Sequence, residues 1–65
     1  MSRIDPLKAR IFACPTERVL DETANAIQRE DFAKRSDPLS SYYTTDELDD
    51  IHAALSRRRR ELRHD

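Results

Sequence analysis

The absence of glycine is the feature that most restricts the folds open to this chain. Tight turns between β-strands need backbone conformations with positive φ, and glycine adopts these conformations without steric cost. A β fold built from hairpins is therefore disfavoured. Alanine, leucine, arginine and glutamate, which favour helices, are among the most frequent residues. The sequence predicts an all-α fold.

The length of 65 residues predicts one small domain that needs additional support. Small chains bury a limited share of their surface and commonly rely on disulfides, a metal or oligomerisation. Cys14 is the single cysteine, so no intrachain disulfide can form, and two histidines are too few to complete a structural zinc site with it. We therefore expect support from a second copy or another protein, with no metal and no cofactor.

The sequence also bears on location. It contains neither a signal-peptide core nor an apolar run long enough to span a bilayer. A single cysteine fits a reducing compartment. We expect a cytoplasmic protein without membrane contact.

Two proline residues define the first predicted helix. Asp5 before Pro6 is typical of an N-cap followed by proline at the first helical position, and it predicts a short helix from Pro6 to about Ala13. Pro15 ends this helix, because the residue before a proline avoids the α-region. The predicted organisation is an N-terminal segment of residues 1–15, either this short helix or a loosely packed or disordered stretch, followed by a helical hairpin domain of residues 16–65.

The first main helix of the hairpin is predicted over residues 16–35. Leu20, Ala24 and Ile27 follow the i, i+4, i+7 spacing of one amphipathic face. Phe32 falls off this face by about a third of a turn at 100° per residue. Two interpretations remain open: the helix ends before Phe32, or Phe32 makes a second contact.

The second main helix is predicted over residues 44–63 and has the clearest start signal in the chain. Thr44 and Glu47 form a capping box, in which each side chain bonds to the backbone amide of the other residue. Tyr43 before the cap and Leu48 after it form a hydrophobic staple.

Leucine recurs every seven residues along this helix, at Leu48, Leu55 and Leu62. Ile51 fills the intermediate heptad position once, and Arg58 occupies it the second time. Two helices alone cannot cover all the apolar positions, which predicts a homodimer that forms a helical bundle. The predicted dimer interface consists of Leu20, Ile27, Leu48, Ile51, Leu55 and Leu62. Antiparallel pairing of the last helices is favoured, because it sets acidic starts against arginine ends.

Charge is polarised along the last helix. Its start holds Asp46, Glu47, Asp49 and Asp50, and its end holds Arg57–Arg60 and Arg63. This order complements the helix dipole, and it also concentrates cationic side chains that a partner can contact. Heptad positions assign Arg58 to the seam, with its guanidinium reaching outward, and leave Arg57, Arg60 and Arg63 free. With Tyr42, these three arginines are the predicted partner-binding residues, because tyrosine and arginine are frequent interface anchors.

The motif content argues against an enzyme. Phosphate loops, nucleophile elbows and paired-cysteine sites need glycine or more cysteine than this chain has. The amphipathic helices and the net charge of −1 predict a small non-catalytic protein-binding regulator or inhibitor that docks on a larger protein. The alternative is a nucleic-acid-binding regulator, such as a small repressor or antitoxin, that uses the arginine end. Two features disfavour it: DNA binders are normally net basic, and the connection from Ser36 to Tyr43 is long for a helix-turn-helix.

Overall fold

Three α-helices form the computed structural model, which describes residues 3–37 and 39–63. They are α1 (Asp5–Phe12), α2 (Glu17–Lys34) and α3 (Thr45–Arg63), and the described residues contain no strand. The predicted all-α class is confirmed, and both main helices lie within one residue of their predicted bounds. Pro38 and the last two residues of the predicted hairpin domain lie outside the described residues. No helix in those two ranges is both long and apolar enough to cross a membrane.

Side-chain caps begin both main helices. The Thr16 hydroxyl accepts a hydrogen bond from the Val19 amide at 3.2 Å and starts α2. The predicted capping box of α3 is confirmed: the Thr44 amide donates to Glu47 at 2.9 Å, and the Glu47 amide donates to the Thr44 hydroxyl at 3.2 Å. These caps satisfy amides that have no partner inside the helix, so they determine where each helix starts.

The start of α1 differs from its prediction by one residue. Ile4, rather than Asp5, occupies the N-cap position, and its carbonyl accepts from the Lys8 amide at 3.0 Å. Asp5 and Pro6 are the first two helical residues, where a missing proline amide costs nothing. The shift brings Ile4, which is 1% exposed, into the core.

Contacts between helices define their directions. Arg3 near the start of α1 pairs with Glu47 near the start of α3, and Arg58 near the end of α3 donates to the Cys14 carbonyl just after α1. Helices α1 and α3 therefore run parallel. The pair between Asp21 and Arg59 sets the beginning of α2 against the end of α3, so α2 runs antiparallel to both.

One hydrophobic core lies where the three helices meet, and α1 contributes a large part of it. Ile4, Leu7 and Ile11 are all buried, with Ile11 completely inaccessible. Of the two alternatives for the N-terminal segment, the short helix is the one observed, and it packs closely. The physical reason is that the hairpin of α2 and α3 presents an apolar side that these three residues cover. The buried apolar residues are Ile4, Leu7, Ile11, Cys14, Leu20, Ile27, Tyr43, Ile51 and Ala54.

This packing leaves little of three predicted interface residues for a second copy to contact. Leu20, Ile27 and Ile51 are 0%, 3% and 1% exposed within the single chain. Helices of the same chain already bury most of their surface, so their place in a dimer interface stays a prediction. The other three predicted interface residues are only partly buried and pack at the edge of the core: Leu48, Leu55 and Leu62.

Candidate protein-binding groove and arginine end

A groove lies between α2 and α3 on the side away from α1. Asp50 and Arg57 of α3 face α1, whereas His52 and Leu55, each two residues away from one of them, point to the opposite side of the helix. The groove has a volume of about 400 Å³. It is lined by Ala24, Ile27, Gln28, Asp31, Phe32, Arg35, Ser41, Leu48, Ile51, His52 and Leu55. Its floor is mostly aliphatic, which suits an apolar ligand surface.

Phe32 forms the exposed rim of this groove. Helix α2 continues past it to Lys34, so the residue belongs to the helix but lies outside its core-facing stripe. Its side chain is 72% exposed, and the Arg35 guanidinium lies 5.2 Å from the ring centre. Burying an exposed phenylalanine is strongly favourable, and stacked arginine adds to such contacts. The helix does not end before Phe32, and a second contact of Phe32 with a partner stays a prediction.

A buried carboxylate holds the end of the groove in shape. Asp31 is 6% exposed, and its Oδ1 accepts from the backbone amides of Tyr42 and Tyr43 at 2.8 and 3.1 Å. Its Oδ2 accepts from Arg35 at 2.9 Å. The Arg35 side chain, followed by the two amides, lowers the pKa of Asp31. Asp31 therefore joins the end of α2 to the segment that leads into α3.

The sequence indicated only part of this site. Asp31 and Arg35 stand four residues apart on a helix, which is a recognisable ion-pair spacing. The two amides come from residues 11 and 12 positions away, in a segment without regular structure. Sequence spacing alone has no signal for that contact.

Tyr42, the predicted aromatic anchor, is engaged within the chain. The Arg3 guanidinium lies 4.6 Å and the Lys34 ammonium 5.5 Å from the centre of its ring. Arg3 also donates to the Tyr42 carbonyl at 2.9 Å. Although the ring is 36% exposed, it already has two cationic neighbours.

Arg3 also forms the main ion pair at the start of α3. Its Nε and Nη2 donate to the two carboxylate oxygens of Glu47 at 2.7 and 2.6 Å. This bidentate pair, together with the Thr44 amide, lowers the pKa of Glu47 to about 2. The same pairing raises the pKa of Arg3. The N-terminal segment is thus held by charge as well as by apolar packing.

Arg58 does not reach outward as the heptad assignment predicted. Its Nε and Nη2 donate to the Cys14 carbonyl at 3.0 and 2.7 Å, and it also pairs with Glu61 at 3.6 Å. The carbonyl follows the end of α1 and needs a donor, because the helix offers it none. Arg58 therefore binds the link between α1 and α2 to helix α3.

The remaining arginines at this end are engaged to different degrees. Arg59 pairs with Asp21, and Arg63 pairs with Glu17 at 2.6 Å. The Arg57 guanidinium lies 5.9 Å from the centre of the Phe12 ring. A phosphate that binds Arg59 or Arg63 would therefore displace a carboxylate of α2.

Arg60 is the most available of these arginines. Within residues 3–37 and 39–63 it makes no hydrogen bond and no ion pair, and its side chain is exposed. It lines a shallow cleft of about 300 Å³ together with Ser56, Arg59 and Arg63. This cleft begins where the apolar groove ends, one turn further along α3.

The predicted partner-binding residues divide into two separate groups. Tyr42 precedes α3, whereas Arg57, Arg60 and Arg63 occupy its last two turns. At 1.5 Å per residue, about 18–27 Å of helix separates the start of α3 from these arginines. A partner that contacts all four residues must therefore extend over at least this distance, and their shared role stays a prediction.

Within the described ranges, no three histidine, cysteine, aspartate or glutamate side chains converge as metal ligands would. Cys14 is buried, and its thiol donates to the Arg10 carbonyl at 3.2 Å. No protein-family model, no curated protein and no solved structure matches this chain. The groove and the arginine end are surface features of the described residues that a ligand could contact.

Proposed function

We propose that this chain is a non-catalytic protein-binding regulator that forms a homodimer and acts by docking on a larger protein. The observation that carries the proposal is the open apolar groove between α2 and α3, rimmed by Phe32. The core buries its apolar residues within one chain, yet this second apolar surface is left uncovered. Exposed apolar surface in a concave site is typical of a protein-binding surface.

The ligand that suits this groove is an amphipathic α-helix. The groove runs between two antiparallel helices, and an added helix would pack its apolar stripe against Leu48 and Leu55 from one side and Phe32 from the other. Helix-in-groove binding of this type reads side chains spaced at i, i+3, i+4 and i+7. His52 and Gln28 add polar groups that orient such a ligand.

Groove binding also supplies the support that a short chain needs. Leu55 is only partly buried in the single chain, and a docked helix would complete its burial. A second copy is the helix donor that is always available. A larger target would then contact what the pair leaves exposed.

Site-specific photo-crosslinking tests this function. A benzoyl-phenylalanine side chain at position 32 reports contacts at the groove, and the same side chain at position 29 is the matched control, because Arg29 is exposed on α2 and does not line the groove. We expect protein adducts from position 32, both in the purified chain and in a nuclease-treated extract of its host. The control side chain at position 29 should give few protein adducts.

Competition makes this test specific for the groove. Excess wild-type chain should suppress the position-32 adducts, Arg29→Ala should suppress them equally, and Phe32→Ala should suppress them less. Phe32 is mostly exposed, so this variant keeps its core. The protein-binding assignment is overturned if position 32 yields no more adduct than position 29, or if nuclease treatment abolishes every adduct.

A further inference from the structure

The groove and the arginine cleft lie along one continuous stripe of α3. Leu48, His52 and Leu55 line the groove, and Ser56 and Arg59 line the cleft. Their spacing is i, i+4, i+7, i+8 and i+11, which places all five on one side of the helix. A ligand helix that occupies the groove therefore meets arginine as soon as it passes Leu55.

An acidic residue, Asp49, flanks the opposite end of this stripe. Asp49 stands seven residues before Ser56 and eleven before Arg60, so these three residues share one helical line. Asp49 and Arg60 are exposed, and in the part of the chain that the structure describes neither forms an ion pair. Among the described residues, the stripe is thus flanked by an aspartate without an ion pair at one end and by an arginine without an ion pair at the other, with Leu55 between them along the helix axis.

We infer that the groove receives α3 of a second copy in antiparallel orientation, with the twofold axis passing near Leu55. This inference rests on the proposed protein-binding function of the groove and names its ligand. Asp49 and Arg60 lie almost equally far from Leu55, so an antiparallel pair sets each Asp49 against Arg60 of the other copy. Such a self-complementary surface is what a twofold interface requires.

Parallel pairing of the same stripes is opposed by charge. It would set Arg60 against the identical arginine of the second copy, and Asp49 against the identical aspartate. Like charges at an interface disfavour that arrangement. Exposed ion pairs contribute little energy individually, so burial in the groove drives the association and the charges select the orientation.

A charge-swap series measured by sedimentation equilibrium tests the orientation. Asp49→Arg and Arg60→Asp should each raise the dimer dissociation constant about threefold or more, because each puts like charges together twice in the dimer. The double variant Asp49→Arg/Arg60→Asp should return close to the wild-type constant. Raising the salt concentration from 0.05 to 0.5 M should raise the dissociation constant of the wild-type dimer. It should also reduce the differences in dissociation constant between the single variants and wild type.

Cysteine trapping gives a second readout on the same residues. An equimolar mixture of Asp49→Cys and Arg60→Cys chains should form the mixed disulfide under mild oxidation, and neither variant alone should crosslink with itself. In the antiparallel pair two copies of position 49 lie about 16 Å apart along the axis, too far for a disulfide. The parent chain, whose Cys14 is buried, is the control for background oxidation.

Three results would overturn the inference. A chain that stays monomeric at all concentrations excludes the second copy as ligand, while position-32 crosslinks to larger proteins would still support the proposed function. Self-crosslinking of each cysteine variant would show parallel pairing. A double charge-swap variant no tighter than either single variant would remove the pairing of Asp49 with Arg60.

Discussion

Truncation of Ile11 to alanine tests whether the short N-terminal helix is an integral part of the core. Ile11 has no accessible surface, and it lies on α1 where that helix meets both α2 and α3. Deleting buried aliphatic atoms of this kind costs about 2–5 kcal/mol, because apolar contacts are lost and a cavity remains. A typical chain of this length has a free energy of unfolding of about 3–10 kcal/mol. The substitution should therefore remove a large share of the stability.

The expected loss is cooperative, because α1 cannot persist alone. Its eight residues are fewer than the roughly 12–15 that an isolated helix needs in water. Without Ile11, the remaining contacts of Ile4 and Leu7 hold α1 less firmly against the hairpin. Amide hydrogen exchange should show faster exchange throughout α1 than in the middle of α2.

Urea unfolding followed by circular dichroism at 222 nm measures the change in the free energy of unfolding. One fixed protein concentration is used, since the proposed dimerisation would add to the apparent stability. Val19→Ala is the matched control, because Val19 is an aliphatic residue of α2 that remains 36% exposed. Ile11→Val should lower the free energy of unfolding by about 0.5–1.5 kcal/mol, an effect intermediate between wild type and Ile11→Ala. If Ile11→Ala costs no more than Val19→Ala, the close packing of α1 is refuted.

Substitutions at Asp31, Arg58 and Glu47 probe the polar contacts, with Arg60→Ala as a control. Asp31→Asn should lower the urea midpoint, and Asp31→Ala should lower it further, because two backbone amides then lose their acceptor. Arg58→Ala should cost about 1.5–3 kcal/mol through loss of its carbonyl contact, whereas Arg60→Ala should stay within about 0.5 kcal/mol in the monomer. The depressed pKa of Glu47, about 2 against an ordinary 4.5, predicts stability that is complete above about pH 5 and is lost as the pH falls towards 2. Titrating Glu47→Gln by circular dichroism from pH 7 to 2 should show a smaller loss than wild type, because the pairing carboxylate is gone; equal losses would contradict this assignment.

The sequence predicted the bounds of the main helices well, because the contacts that start a helix join residues within one turn of the chain. Thr44 and Glu47 cap a helix through contacts only three residues apart, and the structure confirms both hydrogen bonds. Thr16 does the same for α2. A pattern within one turn of chain carries enough information to locate a helix start.

Contacts between helices were less predictable. The spacing of apolar residues shows that one face of a helix is buried, but it does not show which element buries that face. Leu20 and Ile51 were expected at a dimer interface, but α1 of the same chain helps to bury them. Ile4, Leu7 and Ile11 stand at i, i+3 and i+7, but a stripe in so short a helix does not show whether the helix packs on the hairpin. Arg58 followed a heptad pattern, whereas its real partner is a carbonyl 44 residues earlier.

The hydrogen bonds from Arg58 to the Cys14 carbonyl also have a consequence for synthesis on the ribosome. The ribosome synthesises a chain from its N-terminus, so α1 is made before α2 and α3, and Arg58 is made 44 residues after Cys14. Glu47, the partner of Arg3, is likewise made 44 residues after it. Such distant contacts close slowly compared with those inside a hairpin. Helix α1 therefore cannot make these two contacts until the chain has been synthesised as far as Glu47 and Arg58.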